Sequence, residues 1–163
     1  MDYSELLAAL AEEIGLDGLE PDESNMVHLG AEGTALTIVY EQESRNLVVF
    51  SEVADLPLEG REAFYAEALR ANWLFQGGAG ATLAICPETD ALALNQAWPI
   101  DGLDAETFVG ALRNFLTQLW RWRKLADDWR GANEAEASGA EIPGEFLSVT
   151  GDETSLQAFQ MLV

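Results

Sequence analysis

A chain of 163 residues and 17.8 kDa is the size of one domain and buries roughly 68–70% of its unfolded surface without help from disulfides or metal. Its 29 acidic residues against 8 basic ones give a formal net charge of −21, a field that excludes ordinary DNA or RNA binding, which needs clustered Lys and Arg. The same charge favours solubility and draws basic partners over about a Debye length, roughly 8 Å at physiological salt.

Residues 2 to 14 place Leu6, Leu7, Leu10 and Ile14 at helical spacing with Glu5, Glu12 and Glu13 off that stripe, so a first amphipathic helix is expected, ended by Gly15 and Gly18. From 24 to 53 the period becomes two. Met26 to Leu29, then Leu36, Ile38 and Tyr40, then Leu47 and Val49 alternating with Val48 and Phe50, read as three short strands in an antiparallel meander. After Leu56 to Gly60 the pattern returns to helix from Arg61, with Phe64, Tyr65, Ala68, Leu69 and Trp73 on one broad side. Thr82 to Cys86 and Ala91 to Trp98 form a second strand pair around the turn Pro87-Glu88-Thr89-Asp90, and Pro99 ends it. Asp104 is the expected N-cap of a last long helix carrying Phe108, Leu112, Phe115, Leu119 and Trp122. Five of the eight basic residues, Arg113, Arg121, Arg123, Lys124 and Arg130, fall on or just after it.

The order helix, three strands, helix, two strands, long helix is an α+β pattern. From Gly131 the composition shifts to Ala, Glu, Gly and Ser with six acids and no bases to the end. Residues 131–163 therefore read as an acidic flexible tail, with 131–145 as linker and an apolar ending, Phe159 to Val163, able to dock back. No segment approaches the roughly 18 apolar residues of a membrane span, and Met1-Asp2-Tyr3-Ser4-Glu5 lacks the basic start of a signal peptide. The expectation is a cytoplasmic protein with no membrane or nucleic-acid partner.

Candidate chemistry is sparse. The run Gly77-Gly78-Ala79-Gly80 has no Lys for a phosphate loop and precedes a strand instead of opening a helix, so a helix cap followed by close backbone approach explains it better. Cys86 as nucleophile has only His28 to activate it, and one His with one Cys cannot assemble the usual zinc site within a chain. The expectation is no enzyme, no cofactor and no metal. Both faces of the second helix carry apolar bulk, since Phe64 and Leu69 point apart, and burying the second face calls for a two-fold dimer. Trp120 and Trp122 lie about 200° apart on the last helix, so one of them meets a second surface.

The chain also resembles the Tir-chaperone (CesT) family of type III secretion chaperones. Leu69-Arg70-Ala71-Asn72-Trp73 is similar to that family's helix end, Gly77 to Leu83 to its glycine turn, and Leu103-Asp104-Ala105-Glu106 with Trp122-Arg123 to its last helix, a likeness covering residues 1–130. The resemblance implies a homodimer that binds the N-terminal chaperone-binding segment of a secreted effector and keeps it ready for the secretion ATPase or export apparatus. It places Phe64, Leu69, Trp73, Leu83 and Ile85 at the dimer interface, and Leu7, Leu10, Leu36, Ile38, Val48 and Phe50 in effector grooves. The alternative is an acidic regulatory or DNA-mimic protein of similar fold that binds a folded partner.

Overall fold

A computed structural model describes residues 1–31 and 33–138. Helix α1 (Tyr3–Ile14) opens on a capping box in which the Asp2 carboxylate accepts from the Glu5 amide and Glu5 accepts in return from Asp2, and it closes on Gly15 at φ 76°. Strands β1 (Met26–Ala31), β2 (Thr34–Glu41) and β3 (Asn46–Asp55) follow as the expected antiparallel meander. Helix α2 (Arg61–Ala71), a 3-10 turn (Trp73–Phe75), β4 (Thr82–Ile85), β5 (Ala91–Pro99) and α3 (Ala105–Ser138) complete the elements of the described residues.

The two strand groups form one sheet. Its order is β1-β2-β3-β5-β4, because the β4–β5 hairpin enters with β5 against β3, pairing Asn46 with Pro99 and Asp55 with Ala91. Alternation then gives the sheet two unlike faces. Val27, Leu29, Leu36, Ile38, Leu47, Val49, Leu83, Leu92 and Leu94 point inward and are buried with Leu6, Leu7 and Leu10 of α1 and Phe108, Phe115 and Leu119 of α3. On the opposite face His28, Ala35, Phe50, Glu52, Ala84 and Ala97 stay exposed and Val39, Val48 and Asn95 half-buried.

Polar ties fix α3 to the rest. The Arg123 guanidinium donates to Thr34 Oγ1 and to the Glu52 carbonyl (3.0 Å) while lying 5.3 Å from the Trp120 ring centre, so one side chain joins α3 to β2 and β3. Desolvation lowers its pKa. Arg113 pairs with Glu13 of α1. Trp122 is buried and its indole N–H donates to the Gly77 carbonyl at 2.9 Å, while Trp120, half-buried, turns to Arg123, so the two tryptophans do meet different surroundings.

Two expectations are corrected. Helix α2 stops at Ala71, so Trp73 lies in the following turn and not on the helix. The linker expected from 131 is helical to Ser138, because a run rich in Ala and Glu is also a strong helix former and the helix already under way continues into it. Residues 139–163, with the apolar ending at 159–163, lie outside the described residues.

Candidate functional site: an apolar turn and an open sheet edge

Helix α2 presents two apolar faces. Phe64 is fully buried and meets Trp129 edge-on at 5.5 Å, and Ala68 is buried beside it, whereas Leu69 is 70% exposed. Beyond the helix the chain makes the turn Trp73-Leu74-Phe75 with Leu74 at φ 53° and Phe75 at φ 57°. This left-handed conformation costs an apolar L-residue roughly 1–2 kcal/mol. Trp73 (70%), Leu74 (68%) and Phe75 (56%) are nonetheless exposed together.

Asn72 joins this turn to the sheet. Its side-chain amide donates to the Leu83 carbonyl at 3.0 Å and its oxygen accepts the Leu83 amide at 2.9 Å, so one asparagine occupies both outward groups of an edge-strand residue. That geometry protects the β4 edge from a stray strand. Ile85, 38% exposed, ends β4 two residues beyond this tie. The glycines complete the junction. Gly77 donates to the Ala71 carbonyl at 2.9 Å, a Cβ on Gly77 would strike Ala71 and one on Gly78 the Ala81 carbonyl, and Gly80 has φ 102°. Close approach, not phosphate binding, is what the run accomplishes.

The other edge is built differently. Asp22 closes only the start of β1: its carboxylate accepts from the Ser24 amide (2.8 Å) and the Met26 amide (3.0 Å), and its own amide donates to the Met26 carbonyl (2.8 Å). Those bonds hold its carboxyl below the usual range, with His28 adding to the effect. In an antiparallel ladder both backbone groups of a residue point the same way, so His28 and Gly30 also direct theirs away from β2. No described element pairs with them. The His28 imidazole lies 3.1 Å from Thr37 Oγ1 and 3.7 Å from Asp22 on the outer face. Under this end of the sheet, burial and the Asp22 charge push the Tyr3 phenol up to about 12 while it donates to the Asn25 carbonyl at 3.1 Å.

The residues singled out in the sequence divide accordingly. Leu69, Trp73 and Ile85 are exposed, but Phe64 and Leu83 belong to the interior. Leu7, Leu10, Leu36 and Ile38 are at most 2% exposed and fill the layer between α1 and the sheet. Alternation tells which residues share a face, and the inner face proved to be theirs. Val48 and Phe50 lie on the outer face, where Phe50 is accessible. Cys86, 3.2 Å from Glu88, follows β4, and His28 lies on β1, at opposite ends of the strand order, so they do not combine. Among the described residues no group of His, Cys, Asp and Glu is arranged to hold a metal ion, and no helix is long and apolar enough to cross a membrane. Leu74 and Phe75 went unremarked in the sequence; the unbroken apolar run from Trp73 to Phe75 before a glycine turn was the available signal.

Comparison with known proteins agrees with this architecture. No curated protein sequence matches the chain. The chain is similar to the solved ExsC–ExsE complex, with 26% identity and a TM-score of 0.65 over 77% of this chain and 97% of that one. It shares its fold with the HopA1–SchA chaperone–effector complex (19% identity, TM-score 0.63, 75% and 93% covered). It also shares it with the Yersinia pestis type III secretion chaperone SycH bound to a fragment of YscM2 (20% identity, TM-score 0.59, 74% and 99% covered). The Tir chaperone protein (CesT) family profile matches residues 5–123, most of the chain, and the protein therefore belongs to that family.

Proposed function

We propose that this protein is a cytoplasmic, non-catalytic, homodimeric chaperone that binds the N-terminal chaperone-binding segment of a type III secreted effector. It holds that segment in an extended form and delivers it to the secretion ATPase or export apparatus. The observation that carries the reading is the pairing of an exposed apolar set at Leu69, Trp73, Leu74, Phe75 and Ile85 with a separate open strand edge at β1. The first suits a second copy of the chain, because a two-fold contact buries the same patch on both partners. The second suits an extended peptide, which gains main-chain hydrogen bonds at the edge and apolar contact on Val48 and Phe50 of the outer face.

The chaperone–effector complexes among the similar structures support the same reading. Ordering an extended segment consumes part of the interaction energy, so its affinity per unit area is modest and release at the export gate is feasible. The experiment is purification of the tagged protein from its native cytosol with mass spectrometry of what accompanies it, then limited proteolysis of the complex. A secreted protein protected over a short N-terminal stretch is the expected result. A folded protein held with no protected segment, or a monomeric chaperone at micromolar concentration in light scattering, overturns the reading.

A further inference from the structure

The register of the strands sorts the outer face of the sheet into rows. One row runs Met26, Val39, Val48 and Ala97, and the next runs His28, Thr37, Phe50, Asn95 and Thr82. Apart from the titratable His28 these rows carry no charge, and Phe50 near their centre is 36% exposed. Carboxylates stand at both ends. Glu41, opposite Asn46, closes one end, and Glu52, followed beyond a bulge by Asp55, closes the other. Asn46 and Glu52 are six residues apart on β3, so the two ends lie about 20 Å apart.

Glu41 and Glu52 are both held in place, and neither forms an ion pair among the described residues. Ser44 Oγ donates to Glu41 at 2.9 Å and Thr89 Oγ1 to Glu52 at 2.6 Å. The five strands contain no Lys or Arg. The flanking guanidiniums are engaged elsewhere: Arg123 meets Glu52 at its carbonyl, Arg45 pairs with Asp101, and Arg61 donates to the Pro57 carbonyl and lies 3.8 Å from Asp90. Like charge disfavours the occupants that the chain itself offers. Residues 139–163 carry four acids and no base, and a second copy facing this surface across a two-fold axis sets carboxylate against carboxylate. What complements the face is a foreign segment with apolar side chains between two cations.

We propose that Glu41 and Glu52 select the partner of this face: a segment whose apolar side chains cover Val39, Val48 and Phe50 and whose Lys or Arg residues meet the two carboxylates. In an extended segment the cations are then about six residues apart. Identifying that segment with part of an effector rests on the chaperone reading; the charge pattern does not.

Selection from a random dodecapeptide library displayed on phage tests this on the full-length protein, after depletion on its Glu41→Gln/Glu52→Gln variant. Enriched peptides are expected to carry two basic residues about six apart around apolar ones. Their synthetic forms are expected to bind that variant about threefold to thirtyfold more weakly, the effect of two exposed charge pairs. They bind Asp127→Asn/Asp128→Asn, which loses the same charge from α3, as tightly as the unaltered protein. Phe50→Lys, which sets a cation between the carboxylates, weakens binding as well. Matching urea midpoints check that these exposed substitutions leave the fold intact. No enrichment, peptides without the basic pattern, equal loss in the two double variants, or full affinity at Phe50→Lys overturns the proposal. None of these measurements uses an effector, so their failure leaves the chaperone reading intact, and a failed co-purification leaves the charge pattern intact.

Discussion

Phe115 and Trp73 are both large aromatic residues close to helix ends or helix faces, yet Phe115 has no exposed surface and Trp73 keeps 70% of its own. The first sits on the side of α3 that faces the sheet, among residues recurring at three and four positions. The second sits in a turn with left-handed backbone, where the chain has already left α2. Apolar character by itself therefore says little about purpose in this protein. The backbone conformation around the residue decides whether its surface is buried in the fold or left exposed.

Breaking the buried half of that comparison has the largest effect. Phe115→Ala removes a fully buried ring and is expected to destabilise the fold by about 3–5 kcal/mol, read as a lowered midpoint in urea with little change of slope. Asn72→Ala attacks the link between the two halves. Losing both bonds to Leu83 costs about 1–2 kcal/mol and raises the exchange rate of the Leu83 amide above that of its neighbour on β5. Trp73→Ala sharpens the exposed half: unfolding of the dilute protein shifts by less than about 0.5 kcal/mol, while sedimentation at higher concentration shows weakened self-association.

The smallest effect is that of pH. Asp22, Asp101 and Asp104 all have folded-state carboxyl pKa values below the unfolded ones, through backbone amides at Asp22 and Asp104 and through Arg45 at Asp101. Their contribution is therefore complete above the ordinary carboxylate range and lost as pH falls through the lowered values. Tyr3 works in the opposite direction: its raised pKa makes a contribution that is complete below 10.0 and lost as pH rises toward about 12. Denaturation across both ranges checks these arms, with Asp101→Asn flattening the acid one and Tyr3→Phe the alkaline one.

Most elements were legible in the sequence because their apolar periods switch cleanly from 3.6 to 2 and back, and the cap at Asp104 marks a helix start. Three features were not. The insertion of β5 beside β3 depends on non-local pairing, which no local pattern encodes. The burial of Leu36 and Ile38 beneath α1 was not legible either, because period two identifies a face without saying which face is covered. The extension of α3 to Ser138 escaped because Ala and Glu suit a linker and a helix equally, and the preceding turn of helix decides between them.

The place of β5 also fixes an order of events during synthesis. The β1–β2–β3 meander is complete once residue 55 has left the ribosome, but the edge of β3 has no partner until Pro99 follows. At 5–20 residues per second that interval lasts roughly 2–9 s. Throughout it, the nascent chain carries an unpaired apolar strand whose later neighbours must still pass through α2 and the glycine turn. A member of a chaperone family is thus itself vulnerable as it emerges, and slowed translation between Asp55 and Pro99 is where its own aggregation would begin.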